Sequence, residues 1–334
     1  MSTGCKMKTF ILMSTHSYDS MLQRQKQIIK RLSKENIVYY YEIENDKCFM
    51  KKNRNFFVLD NNYINKIKYL QSTGSVIIWC SSIYEAQFIE RIPHDYVIFD
   101  FSFDYANWSK SQQEIYKNGD IIFTQSEKLY ESLEPTHPKV FLVKNGVDLD
   151  SFSVYKNDIP DDMPLGKNIV GYVGEIGESI DWELVKFIVK NKDLNFVFIG
   201  DYDKGVLDEI SGDNVFFLGQ KKYEDLTYYI NNFNCAILPI KGDIKLDNFN
   251  YFEFYEYMAL GIPAVTTEIL ELGEYSKACY TSSIKEQFAN YIDIAICESN
   301  TSLRLLRRRI ASQNSWDKRI DQIDNIVNRE LQLE

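Results

Sequence analysis

The chain has 334 residues, 45% hydrophobic and 26% charged, with 15 glycines and 7 prolines. That composition excludes disorder and low-complexity or collagen-like structure, and the length suits two domains. The formal charge of −10, concentrated in residues 165–334 (18 basic against 27 acidic side chains), is the opposite of what a nucleic-acid binder needs.

Strand and helix signals alternate from the start. Lys8–Ser14 is a short apolar run, and in Ser20–Lys34 the residues Met21, Ile28, Ile29 and Leu32 recur near helical spacing. Ile37–Ile43 is β-branched and aromatic, as strands prefer. Ser75–Cys80, Tyr96–Phe99, Asp120–Thr124 and Val140–Val143 read as buried strands, with helices expected near 61–72, 82–91, 107–118 and 126–133. A polar, proline-bearing stretch then reads as a linker. The pattern restarts with strands at Asn168–Gly174, Phe196–Gly200, Val215–Leu218, Ala236–Pro239 and Ala264–Thr267, and with helices near 181–190, 223–231, 252–260 and 284–297. The stretch 302–331 reads as helical and amphipathic. Repeated β-α-β runs imply mostly parallel, doubly wound sheets. The expected architecture is therefore α/β: one Rossmann-like domain over 1–147, a linker over 148–166 and a second such domain over 167–301. Helices over 302–334 are expected to pack back on the first.

No apolar run approaches the roughly 20 residues of a spanning helix, and the N-terminus reads as lacking the apolar core of a signal peptide. Six scattered cysteines form no CxxC pair, and the three histidines (His16, His94, His137) are far apart, so neither a disulfide framework nor a metal site is expected. A cytoplasmic location follows as an expectation. Asp148-Leu149-Asp150 and Asp201-Tyr202-Asp203 have the Asp-x-Asp spacing of some metal sites, but a chain with 48 acids produces such strings by chance. The clusters Arg24, Lys26, Lys30, Arg31, Lys34 and Lys51, Lys52, Arg54 leave two readings open: a solvated helix face, or contact of the N-terminal domain with an anionic membrane surface.

Ligands of doubly wound sheets sit beyond the carboxyl ends of the strands. Gly171, Gly174 and Gly177 stand there, between a strand and a helix, where glycine admits close backbone approach and the helix offers free N–H groups to a diphosphate; a tight turn is the plainer reading. Asp100 and Asp104 follow the Tyr96–Phe99 strand. A carboxylate there could accept or orient a hydroxyl proton, or simply cap a loop. His16 follows the first strand, as a reactive group or as a hydrogen-bonded loop residue.

The segment Glu256-Tyr257-Met258-Ala259-Leu260-Gly261-Ile262-Pro263-Ala264-Val265 resembles the helix–strand signature of GT-B glycosyltransferases, in the retaining family that includes sucrose and glycogen synthases. Gln23–Ile28 with Val38-Tyr39-Tyr40, the acidic segment Asp100–Asp104, Asp120–Ser126, Asn145-Gly146-Val147-Asp148 and Asn214–Gly219 line up in order with the teichuronic acid biosynthesis type of that family. The resemblance implies two facing Rossmann-like domains with a cleft between them, the acceptor held by the first and a nucleoside-diphosphate sugar, UDP-linked, by the second. It implies metal-independent hexosyl transfer without a cofactor, to a glycan, lipid-linked or protein acceptor in cell-surface polysaccharide or glycoconjugate synthesis; a place at the inner face of the membrane rests on the second reading of the basic clusters alone. Asp100, Asp104 and His16 would be catalytic. Gly171, Gly174, Glu175, Gly219, Asn250, Tyr251 and Glu256 would bind the donor, with Glu256 on its ribose. The family's Glu eight positions earlier is Asn248 here, and its diphosphate lysine is Glu253; Glu175, Glu178 and Asp181 occupy the place of its Arg and Lys. Lys241 or Lys245 is the expected substitute cation. The alternative is an inactive homologue serving as a scaffold or partner subunit; for a nucleotide-sugar epimerase no residue set is found.

Overall fold

The structure, a computed structural model, describes residues 7–43, 50–60, 74–101, 114–152, 158–202, 205, 210, 212–242 and 252–333. The chain divides into two compact units, in the main Met1–Asn145 with Trp316–Glu334, and Gly146–Ser315.

The first unit is built on an eight-stranded sheet. Its strands are β1 (Thr9–Ser14), β2 (Ile37–Glu42), β3 (Met50–Lys51), β4 (Phe56–Leu59), β5 (Val76–Cys80), β6 (Tyr96–Phe101), β7 (Ile121–Thr124) and β8 (Val140–Leu142), in the order β3-β4-β2-β1-β5-β6-β7-β8. All neighbours are parallel except β3 and β4. The central strands β1 and β5 are buried along their whole length, which is why they read as unbroken apolar runs rather than alternating ones. Trp79, fully buried, is flanked by Phe10 and Phe123 at 6.4 and 5.5 Å between ring centroids.

The second unit has a six-stranded, wholly parallel sheet of β9 (Ile169–Val173), β10 (Asn195–Ile199), β11 (Val215–Phe217), β12 (Cys235–Leu238), β13 (Ala264–Thr266) and β14 (Tyr280–Thr281), in the order β11-β10-β9-β12-β13-β14. Its longer helices are Trp182–Asn191, Phe252–Leu260, Lys285–Ile296 and Thr301–Gln313.

Several expected boundaries shift. The described part of the 148–166 linker belongs to the second unit: buried Phe152 packs edge-on against Tyr223 at 5.3 Å, and Asp162 pairs with Lys221 and Tyr229. The unit boundary thus falls at Asn145. The stretch 302–331 is two helices broken at Asn314-Ser315. The first belongs to the second unit, because Arg307 donates to Ala278 O and pairs with Glu298. Only Trp316–Glu330 joins the first unit, through buried Trp316, the Arg31–Asp317 pair and Gln322 Nε2 to Leu142 O at 2.9 Å. The helix expected over 82–91 is a four-residue helix, Ile83–Ala86, and a single turn, Ile89–Arg91. The 61–72 helix and 107–113 lie outside the described residues.

In the N-terminal basic clusters Lys26, Lys30, Lys34, Lys51, Lys52 and Arg54 are exposed, and only the two helix arginines are withdrawn from the surface. Arg24 and Arg31 are buried and paired with Asp100 and Asp317, Lys34 also reaches Asp317, and Lys52 lies over the Tyr18 ring at 4.0 Å. Among the described residues no helix is long and apolar enough to cross a membrane.

Candidate active site

In the second unit β9, β10 and β11 end side by side, and a glycine follows closely on each: Gly174, Gly200 and Gly219. Their turns are tied together, with Gly174 N donating to Ile199 O (3.0 Å), Ile176 N to Asp201 O (3.1 Å) and Gly200 N to Gly219 O (3.1 Å). Gly174 and Gly219 have φ of +139° and +69°, in the region that favours glycine. Gly200 must lack a side chain because a Cβ there would lie 1.8 Å from Gly174 O. Gly171 plays another part. It sits inside β9, where a Cβ would meet the Phe233 ring at 2.1 Å, so it makes room for packing and does not face a ligand.

After Gly174 the chain is held by the Tyr172 hydroxyl, which donates to Glu175 O at 2.8 Å, and exposed Glu175 and Glu178 follow. Asp181 caps the Trp182–Asn191 helix by accepting from Leu184 N. The loop leaving β12 runs alongside: Asp181 N donates to Pro239 O (2.7 Å) and Lys241 N to Ser179 O (2.9 Å). Lys241 thus starts next to the glycine loop. Lys245, Asn250 and Tyr251 lie outside the described residues.

The Phe252–Leu260 helix points its N-terminal end at the same place. Its residues from Phe254 onward are buried, consistent with an almost wholly apolar sequence. Tyr257, one position after Glu256, fastens it to the end of β9, since Val173 N donates to the Tyr257 hydroxyl oxygen at 2.9 Å. Glu253 Oε1 stands 3.3 Å from where a Gly174 Cβ would be. Burial lifts the partly buried Glu253 carboxyl to about 7. Glu256 is buried (3% exposed), and desolvation and the Glu253 and Asp148 charges push it well above the carboxylate range, against the pull of a Tyr223 hydrogen bond. Burial and the neighbouring carboxylates thus favour the protonated form of Glu256, which can donate as well as accept.

In the first unit Asp100 is not available as a base. Both its oxygens accept from Arg24, at 2.8–3.2 Å, and it is 2% exposed. Arg24 also donates to Asn145 Oδ1 (2.9 Å) and lies over the Trp316 ring at 5.7 Å, while Arg319 Nε donates to Asn145 O. The Asn145 of the Asn-Gly-Val-Asp segment is thus a hub for buried charge. Asp104 lies outside the described residues. His16 is exposed at the end of β1, its backbone held by Ser14 Oγ and the Tyr40 hydroxyl. Sequence reasoning missed Glu85, whose buried carboxylate accepts from Ser81 N (2.6 Å) and Ser82 N (3.1 Å) at the end of β5 and from the Thr15 backbone at the end of β1; burial lifts it to about 8. The Ser82–Glu85 spacing of a capping box was the signal. Tyr223 and Tyr257 carried no signal, being two among 23 tyrosines. Among the described residues no group of three or more His, Cys, Asp or Glu is placed to hold a metal ion.

Residues 167–294 match the family described as glycosyl transferases group 1. TuaH of Bacillus subtilis (strain 168), named as a glycosyltransferase of teichuronic acid biosynthesis, is 23% identical over 224 residues; the match spans 62% of this chain and 56% of that relative's length. Sucrose-phosphate synthase from Thermosynechococcus elongatus superposes with a TM-score of 0.70 at 14% identity, over 98% of this chain and 100% of the other. HepE from Anabaena, solved with UDP and glucose, does so at 0.65 and 14%, over 97% and 100%. The chain thus has the GT-B fold of these structures, and the stretch of its second unit over residues 167–294 is similar to the group 1 glycosyl transferases.

Proposed function

We propose that the chain transfers a hexosyl group from a nucleoside-diphosphate sugar, UDP-linked, to a glycan, lipid-linked or protein acceptor in the making of a cell-surface polysaccharide or glycoconjugate. The observation that carries this reading is the meeting of three glycine turns with the N-terminal end of the Phe252–Leu260 helix, beside buried Glu256, inside the stretch similar to the group 1 glycosyl transferases. The helix N-terminus suits a diphosphate leaving group, which needs donors fixed in advance, while the Gly174, Ile176 and Gly200 N–H groups are spent on tying the turns together and leave the glycines to admit close approach. TuaH and HepE support the polysaccharide and UDP parts of the reading by their names.

The second unit would bind the donor, with Glu256 on the ribose hydroxyls, and the first would bind the acceptor, with His16 and Asp104 as its reactive candidates. The charge on the diphosphate would be met by Lys241 or Lys245 and by backbone dipoles, so transfer proceeds without a divalent ion. Calorimetric titration with UDP tests the reading: Glu256→Ala should weaken binding about ten-fold or more, and the near-isosteric Glu256→Gln by only about two- to three-fold. Wild-type protein that binds no nucleotide would overturn it. Transfer that is abolished by EDTA and restored by manganese would overturn the metal-free part alone.

A further inference from the structure

The Thr301–Gln313 helix carries four arginines and no acid, in a half of the chain where acids outnumber bases 27 to 18. Arg307 is buried and spent on Glu298 and Ala278 O. Arg304, Arg308 and Arg309 are exposed, and none has an acidic partner among the described residues. At helical spacing they share one face with Thr301, Leu305 and Ser312, all exposed. Leu305 is 60% exposed at the middle of that face, with Arg304 and Arg308 on one side and Arg309 on the other. A groove of about 370 Å³ is lined by Thr301, Arg304, Leu305 and Arg308.

Part of this charge has an internal use. Arg304 and Arg308 lie across Gly261, their Nε atoms 3.3 and 3.5 Å from a Cβ built there, and so cover the C-terminal end of the Phe252–Leu260 helix. That end carries about half a negative charge, which leaves most of three positive charges unmet. A leucine set among them adds nothing to a polyanion contact, but it does add to contact with a surface that is anionic outside and apolar beneath.

We propose that this helix face docks the chain on an anionic lipid surface, the three guanidinium groups meeting headgroup phosphates and Leu305 entering the acyl boundary. Arginine stems reach outward while their heads stay at the phosphate level. The face adjoins the C-terminal end of the Phe252–Leu260 helix, whereas Glu253 lies in its first turn and Glu256 at its middle, so the variants replace none of the proposed donor residues.

Sedimentation of the full chain with vesicles tests this, using 30% phosphatidylglycerol in phosphatidylcholine against phosphatidylcholine alone. Wild type should pellet with the anionic vesicles only, and should be released near 0.5 M salt. Each Arg→Gln change should weaken binding about five-fold and the triple change about hundred-fold. The triple Arg→Lys variant should still bind, and Leu305→Ser should weaken binding about five-fold at unchanged salt dependence. UDP titration should match wild type for every variant; circular dichroism melting should match it for Arg309→Gln, Leu305→Ser and the triple Arg→Lys variant, and should fall slightly where Arg304 or Arg308 loses its charge at the helix end. The proposal is overturned if wild type does not pellet, or if the triple Gln variant pellets as wild type does. It is equally overturned if Leu305→Ser is silent and duplex DNA binds through the same arginines, which would make the face a nucleic-acid surface.

Discussion

Glu253 stands beside Gly174, and under the proposed function, in which the diphosphate lies at the glycine turns, its protonation decides whether it adds a charge there. Its carboxyl titrates at about 7 in the fold and near 4.5 when unfolded. Between those values the folded chain holds a proton that the unfolded chain has released, so this group's contribution to stability falls as pH rises from about 4.5 to 7. Glu253→Gln should flatten that decline in pH-dependent melting. Nucleotide binding should follow the same proton. From pH 6 to 8 the neutral fraction drops about ten-fold, and UDP affinity should drop with it in wild type but not in Glu253→Gln. A wild-type affinity constant across that range would show that Glu253 does not face the phosphates. Asp100 calls for the opposite test, because its partner is already present. Asp100→Asn leaves Arg24 buried without its counter-charge and should cost about 3–5 kcal/mol. A large fall in melting temperature marks Asp100 as structural, whereas an unchanged melting temperature with lost transfer would return it to the chemistry.

At the scale of elements, the glycine turns show what was legible and what was not. Strand–glycine–helix order placed Gly174 at a strand end and the family resemblance placed Gly219 at another, and both have the positive φ that leaves a trace in residue type. Gly171 left the same trace for another reason, the Phe233 ring, which lies 62 residues along the chain and beyond any local pattern. Gly200→Ala, with a Cβ 1.8 Å from backbone oxygen, should cost about 3 kcal/mol or more and displace the Gly174 turn, while Gly219→Ala meets open space and should cost about 1 kcal/mol. Thermal unfolding of the two variants separates them. The strands β3, β4 and β14 were not read because they are two to four residues long and lie at or next to a sheet edge. The burial of Arg24 and Arg31 was hidden in a helix whose charges look solvated until Asp100, Asn145 and Asp317, 76 to 286 residues away, close over them.

At the scale of the molecule, each unit has its own sheet and its own core, so each can be expected to unfold as a cooperative block. The last helix makes this testable, since its sequence follows the second unit and its packing belongs to the first. Trp316 is fully buried, and Trp316→Phe shrinks the ring above Arg24 without removing it. Calorimetry should resolve two transitions. Trp316→Phe should lower the first unit's transition and leave the second's in place. UDP at a hundred times its dissociation constant should raise the second unit's transition by the equivalent of about 2.7 kcal/mol, with the first unmoved if the donor touches only the glycine turns and the Phe252–Leu260 helix. Should UDP raise both, the donor is held by residues of both units, and the assignment of nucleotide binding to the second unit alone fails.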